Sequence, residues 1–207
     1  MTPNIKNIIF DFGDIFINLD KEAPLRGITR VAPGFMPDPE IDRINKLYEK
    51  GKITTEVFVD HYRSKLPGSS EQELIRIWNS IILDLPEQRI AFLEHLKNNH
   101  SYRLFLLSNT NALHMQQVLL NTGRPVFERF RSLFEKFYLS HEIGMRKPDE
   151  EIYRFVLDQN NLQAGETLFI DDLHENTNAA AKIGIHTWTL EPGKEDITQL
   201  FSKDLPL

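Results

Sequence analysis

The chain has no cysteine among its 207 residues, which excludes disulfide scaffolds and zinc–thiolate centres. It also lacks any run approaching the ~20 apolar residues that a membrane-spanning helix needs. Its first apolar stretch, inside MTPNIKNIIFDFGD, is too short and too soon acidic for a secretory leader. A soluble, cytoplasmic protein with no membrane partner is therefore expected. Positive charge is in deficit: 24 Lys and Arg face 30 Asp and Glu, a net charge of −6. No nucleic-acid partner is expected from that balance, although a local positive site can still hold an anion in a negative protein. With 10 Gly and 11 Pro the composition is not collagen-like, and 41% hydrophobic residues exclude a largely disordered chain. The length suits one good-sized core plus a small accessory unit.

What is present is organised around IIFDFGDIFINLD, residues 8–20. Ile8, Ile9 and Phe10 read as a buried strand that stops at Asp11, and Gly13 marks a turn. Beyond Asp20 the pattern is helical. Lys21–Val31 reads as a helix with Asp20 as its cap and Pro24 in its first turn. Ala32–Pro39, with three prolines and a glycine, reads as a loop. Glu40–Glu49 and Thr54–Leu66 follow as helices, with Gly51 and then Pro67–Gly68 as stops. Ser70 and Glu73 form a capping-box pattern before Leu74, Ile77, Trp78, Ile81 and Ile82. About four helices thus occupy 20–85 with no strand among them, an all-helical insertion.

After Pro86 a helix over Glu87–Asn98 leads into alternation. Strands are expected at Tyr102–Leu107, Lys136–Leu139, Thr167–Ile170 and His186–Leu190. Helices are expected at Ala112–Leu120, Arg124–Phe134, Glu150–Gln159 and Glu175–Ile183, with a loop over Glu142–Pro148 and a polar tail. Strand–helix alternation predicts an α/β fold: a doubly wound parallel sheet with right-handed crossovers. The expected core is 1–19 with 86–207, and 20–85 forms a small helical cap able to cover the carboxyl edge of the sheet.

Polar residues follow the apolar strands at Asp11, at Ser108 and Asn109, and at Asp171 and Asp172, with Lys147 some residues past its strand. In a parallel sheet such strand ends share one edge. Three carboxylates without a His or Cys partner suit a hard cation, of which Mg²⁺ also seeks phosphate oxygens. A carboxylate can attack phosphorus, Lys147 can supply fixed charge to phosphoryl oxygens, and the Ser108 hydroxyl can donate to them. Each residue has a plainer reading: Asp11 and Ser108 as caps, Lys147 as a solvated lysine, Asp171 and Asp172 as helix N-terminal acids. Agreement among four strand ends favours chemistry. Arg146 reads as a surface residue. Asn176 reads equally as a carboxylate partner or a first-turn residue. His114 and His174 lack metal-ligand spacing and read as structural, and Trp78, Tyr48 and Phe58 read as cap core.

The motifs FDFGD (10–14), LLSNTN (106–111), GMRKPDEEIY (144–153) and FIDDLHENTNAAAKIGI (169–185), in this order, resemble the haloacid dehalogenase-like hydrolase superfamily. The last two, with YEKGKIT (48–54), are most similar to the branch holding bacterial α-glucose-1-phosphate phosphatases and the phosphatase domain of soluble epoxide hydrolase. The resemblance implies a Mg²⁺-dependent phosphatase acting on a small phosphorylated metabolite, a sugar phosphate among the options. It implies Asp11 as nucleophile, Ser108, Asn109 and Lys147 on the phosphoryl group, and Lys147 bridging nucleophile and phosphate. It further implies metal ligation by Asp11, the Gly13 carbonyl, Asp172 directly, and Asp171 directly or through water.

One departure stands out. Most phosphatases of the superfamily carry an acid/base Asp two residues after the nucleophile, where this chain has Gly13. Either Asp14 reaches in, or the substrate carries a good leaving group, an anomeric, aryl or acyl phosphate. Other readings are a metal-independent 2-haloacid dehalogenase, disfavoured by the Asp171–Asp172 pair, and a non-catalytic phosphate- or partner-binding protein. Substrate choice lies in cap residues without a motif, and no motif sets an oligomeric state.

Overall fold

The computed structural model describes residues 5–36 and 38–207; Pro37, within the expected loop at 32–39, and the first four residues lie outside them. Five strands, β1 (Asn7–Phe10), β2 (Arg103–Ser108), β3 (Lys136–Leu139), β4 (Thr167–Asp171) and β5 (His186–Thr189), form one sheet in the order β3-β2-β1-β4-β5. Every pairing is parallel. The strands read as unbroken apolar runs because both faces are covered. Ile8, Phe10, Leu104, Leu106, Leu168 and Ile170 point to one face, against Ile90, Leu93 and Leu96 of α5 (Glu87–Asn99). Ile9, Phe105, Leu107 and Phe169 point to the other, against Ile152, Tyr153 and Val156 of α9 (Glu150–Asn160). This is the doubly wound sheet that the alternation predicts, with β1 in the centre.

The turn after β1 is anchored by aromatics. Phe12 stacks on Phe130 at 5.5 Å between centroids, and Phe16 meets the same ring edge-on at 5.1 Å. Both phenylalanines are buried. Each such ring is worth about 3–5 kcal/mol against truncation to alanine, so the loop holding Asp11 is fixed rather than free.

Between β1 and β2 lie α1 (Ala23–Val31), α2 (Pro39–Glu49), α3 (Thr55–Lys65) and α4 (Glu71–Asn79). Their shared core includes Ile28, Ile41, Tyr48, Phe58, Tyr62 and Ile77, and takes in Leu113 from α6 (Ala112–Thr122). Gly51 shows how closely this helical block sits on the sheet edge. Its φ is +60°, and a Cβ there would lie 2.1 Å from the carbonyl oxygen of His141 in α8 (Ser140–Ile143). Ion pairs Arg146–Glu49 (3.0 Å) and Lys50–Asp149 (2.7 Å) join the block to the loop after α8. Arg146 is therefore a half-buried paired residue, not the solvated one its charge suggested, because Glu49 reaches it from α2.

Several boundaries differ from expectation. Helix α1 begins at Ala23, not Lys21; Asp20 still accepts from the Ala23 N–H (3.1 Å) and pairs with Arg26. The expected loop ends early because Asp38 caps α2, accepting from the Glu40 and Ile41 N–H groups, with Pro39 in the first turn. Ser70 accepts from the Glu73 N–H (3.2 Å), half of the capping box, while Glu73 turns to Arg76. The loop at Glu142–Pro148 begins inside α8, and α7 (Arg124–Arg131) ends before Phe134. The tail is not merely polar: a 3₁₀ turn at Ile197–Ser202, with an Asp196–Gln199 capping box, buries Ile197 and Leu200.

His114 of α6 ties the helical block to the core, stacked on Trp78 of α4 at 4.9 Å. Its Nε2–H donates to the Trp78 carbonyl (3.3 Å), so Nδ1 accepts from Asn111 Nδ2 (3.1 Å). Burial holds the imidazole down from 6.5 to about 4. Below 6.5 the unfolded chain gains a proton that the native ring refuses, so stability falls with pH until about 4. The ring is only half-buried, so the expected loss is at most about 2 kcal/mol. Urea unfolding at pH 7 and pH 4.5 should show a smaller drop in His114→Gln than in the unsubstituted protein.

Candidate active site

Asp11 follows the last residue of β1, and its N–H continues the ladder by donating to the Ile170 carbonyl (2.8 Å). Ser108 ends β2 and Asp171 ends β4, so the parallel register brings all three to one edge. Lys147 arrives from the loop after α8, where the Asn109 side chain grips its backbone. The Lys147 N–H donates to Asn109 Oδ1 and Asn109 Nδ2 donates to the Lys147 carbonyl, both at 2.8 Å. The Lys147 ammonium lies over the Phe169 ring, 5.4 Å from its centroid, and reaches Asp11 Oδ1 and Asp171 Oδ2 at 2.6 Å each, with 1% of the side chain exposed.

Asp171 is held from every side. It accepts from the Leu173 N–H (2.9 Å) and, through both oxygens, from Asn176 Nδ2 at 2.9 and 3.1 Å. Asn176 is thus a carboxylate-orienting residue, and Tyr153 fixes it in turn by donating its hydroxyl to the Asn176 carbonyl (2.9 Å). Asp172 accepts from Lys21 Nζ (2.5 Å), and the same ammonium lies 2.8 Å from Asp14. Lys21 is a site residue that the sequence does not signal: LDKEAP reads as a charged helix start. The Ser108 hydroxyl and the Gly13 carbonyl accept or donate no hydrogen bond among the described residues.

Gly13 is closed rather than open. A Cβ built there would lie 2.7 Å from Leu19 Cδ1 and 3.9 Å from Asp11 Oδ2. A leucine methyl stands where the next side chain would begin. Asp14, at φ +56°, uses one oxygen on the Leu19 N–H (3.1 Å) and the other on Lys21. Both of its oxygens serve the loop.

Oxygens of Asp11, Asp171 and Asp172 lie within 4.8 Å of one another. Burial raises the Asp11 carboxyl to about 7, an effect that Lys147 opposes and Asp171 reinforces. Burial also raises Asp172, against the pull of Lys21. Desolvation alone would lower Lys147, but Asp11 and Asp171 overcome it and hold the ammonium above its ordinary value. Hard oxygen donors with surplus negative charge, a free backbone carbonyl and no sulfur or imidazole form a set that fits Mg²⁺.

Sheet, edge and side chains together define an α/β protein with a buried carboxylate–lysine centre whose acidic groups could hold a divalent ion. The chain belongs to the haloacid dehalogenase-like hydrolase family, whose model matches residues 8–190. It is 26% identical to a D-ribitol-5-phosphate phosphatase of Bacteroides thetaiotaomicron, over 92% of this chain and 94% of that one. It is 30% identical to a sesquiterpene phosphatase of Aspergillus oryzae, over 89% of each. A family enzyme of Bacteroides thetaiotaomicron, solved with magnesium and inorganic phosphate, superposes with a TM-score of 0.82 at 35% identity, covering 96% of this chain and all (100%) of that chain.

Removing the ammonium should expose how much it offsets. Lys147→Met leaves two buried carboxylates unpaired and is expected to cost about 3–5 kcal/mol at pH 8 without added metal. A carboxyl raised by burial favours the native state below its unfolded value and opposes it as pH rises through the folded one. The loss should therefore shrink at pH 5, where the Asp11 carboxyl is protonated; urea midpoints at the two pH values measure it.

Proposed function

We propose that the protein is a Mg²⁺-dependent phosphatase that hydrolyses a small phosphorylated metabolite through an aspartyl-phosphate intermediate. One observation carries the reading: the Lys147 ammonium is shared at 2.6 Å by Asp11 and Asp171, whose oxygens group with those of Asp172. The phosphatase relatives and the magnesium- and phosphate-bound family structure support it.

In this reading Asp11 attacks phosphorus. A bond forms between its carboxylate oxygen and phosphorus as the ester P–O bond breaks, and the leaving group departs as the oxyanion and takes its proton from solvent water. Water then attacks phosphorus and gives a proton to solvent as the bond to the Asp11 oxygen breaks, so that inorganic phosphate leaves and the Asp11 carboxylate is restored. Lys147 pulls the Asp11 carboxyl back toward its ionised form, aligns it and presents its charge to the phosphoryl oxygens, and Ser108 donates its hydroxyl to them. Asn109 acts on the phosphoryl group through Lys147, since its carboxamide is committed to that residue's backbone. Asp11, the Gly13 carbonyl and Asp172 would hold Mg²⁺, while Asp171, whose oxygens already accept from Lys147, Asn176 and Leu173, would serve it from behind. The ion supplies charge neutralisation and orientation of the phosphoryl group when bound. Residues 20–85 act as a cap over the core formed by 1–19 and 86–207, closing a pocket that suits a metabolite better than a macromolecule.

Leu19 fills the position beside Gly13, and Asp14 is tied to Leu19 and Lys21. The leaving group therefore departs without a carboxylic acid in the usual place, and turnover depends steeply on how weakly basic it is.

Phosphate release from p-nitrophenyl phosphate is expected with Mg²⁺ and not without it, and Asp11→Asn should lower it at least a thousandfold. Asn tolerates the left-handed backbone at position 14, so Asp14→Asn should stay within about tenfold of the parent. A loss matching Asp11→Asn would instead make Asp14 the acid.

The clash at position 13 is with the far end of a flexible side chain, so an acid can be put back. Gly13→Asp combined with Leu19→Ala is expected to raise kcat for alkyl phosphates tenfold or more while changing p-nitrophenyl phosphate little.

A further inference from the structure

The helical block encloses a cavity of about 260 Å³ whose wall includes Ile28, Phe35, Ile41, Phe58, Val59 and Ile77. Two features join it to the carboxyl edge of the sheet. The Lys21 stem lines it while its ammonium sits on Asp172 and Asp14. Trp78 and Leu113 line it from the junction, where Trp78 Nε1 donates to Asn111 Oδ1 (3.3 Å) in the segment after β2. Trp78 is thus cap core and cavity wall at once.

The polar groups of this wall are already occupied. The Tyr62 hydroxyl donates to Asn45 Oδ1 (2.9 Å), Trp78 is bonded to Asn111, and Lys21 is paired with two carboxylates. Among the polar side chains that line the cavity, Asn45 Nδ2 alone has no bond to the protein. A polyol or nucleoside placed here would leave hydroxyl after hydroxyl facing Ile, Phe and Val side chains, each unpaired group weakening binding severalfold or more. An apolar body loses nothing and removes its own surface from water. Since an apolar cavity of about 150 Å³ accommodates benzene, this one has room for roughly ten carbons.

We propose that the substrate is a phosphate monoester with an apolar body of about ten carbons, seated in this cavity with its phosphate at Asp11 and Lys147. The proposal rests on the phosphatase reading and deepens it: the cap selects against sugar and polyol phosphates. An aryl ester meets both demands at once, an apolar body for the cavity and a weakly basic oxygen for the leaving group.

A series of n-alkylphosphonates from methyl to dodecyl, tested as competitive inhibitors of p-nitrophenyl phosphate hydrolysis, reads the cavity directly. Inhibition constants should fall about two- to fourfold per added methylene and level off near about ten carbons. Val59→Phe, which fills part of the cavity, should move the plateau to a shorter chain, a shift that misfolding does not produce. In the parent protein 1-naphthyl phosphate should exceed phenyl phosphate in kcat/KM by tenfold or more, with ribitol 5-phosphate below both. A flat phosphonate series, or ribitol 5-phosphate ahead of the aryl esters, overturns the proposal while leaving the phosphatase reading intact. Absence of all turnover with Mg²⁺ overturns that reading alone. The same phosphonate series, followed then by calorimetric titration, still supports or overturns the cavity assignment.

Discussion

One buried ammonium organises the site. Lys147 Nζ lies 2.6 Å from carboxylates that come from two different strands, and the side chain is 1% exposed. Removing that charge from water is costly, and burying Asp11 and Asp171 without it would be costlier still. The arrangement is tolerable only because each member is also fixed by neutral partners. Asn109 clamps the lysine backbone, Asn176 and the Leu173 N–H hold Asp171, and the phenylalanines beneath the turn after β1 hold the loop of Asp11. A surplus of negative charge still remains, visible in the upward displacement of Asp11 and Asp172. That surplus is what a divalent cation answers, so the cost in stability and the capacity for chemistry have the same origin.

The core was legible in the sequence because both-sided burial writes itself as short apolar runs. Ile8–Phe10, Leu104–Leu107 and Leu168–Ile170 leave no other interpretation for their neighbours Asp11, Ser108 and Asp171 than a common edge. Order along the chain, joined with the parallel-sheet rule, was sufficient to bring together residues separated by more than a hundred positions. Helix ends were less legible, because they depend on which neighbour competes for a cap. Asp38 took α2 back to Pro39, and Asp20 was drawn to Arg26 while α1 began later. The tail was misread because its two buried residues, Ile197 and Leu200, make too short a pattern to register as an element.

The contributions of Lys21, Leu19 and Asn109 were not legible for a different reason. Each acts through a contact that no local pattern encodes. Lys21 matters because the helical block places its start against Asp172, and Leu19 because its methyl occupies the space beside Gly13. Asn109 matched a phosphate-binding motif, yet its carboxamide is directed at the Lys147 backbone. That partner is a property of the tertiary structure alone.

In the proposed reaction these contacts divide specificity between two parts of the chain. The sheet edge would act at phosphorus, with groups whose positions are over-determined. The helical block would select what is attached to that phosphorus, through an apolar wall whose hydrogen-bonding groups are nearly all satisfied internally. Lys21 belongs to both, its stem in the wall and its charge at the carboxylates. The glycine at position 13 then acquires a physical meaning beyond a lost acid. Leu19 Cδ1 occupies the space that a side chain there would enter, so no acid fits at this position unless the leucine moves. Leu19 packs against the sheet core and is not among the residues that line the apolar cavity, so the missing acid and the apolar wall arise from separate contacts.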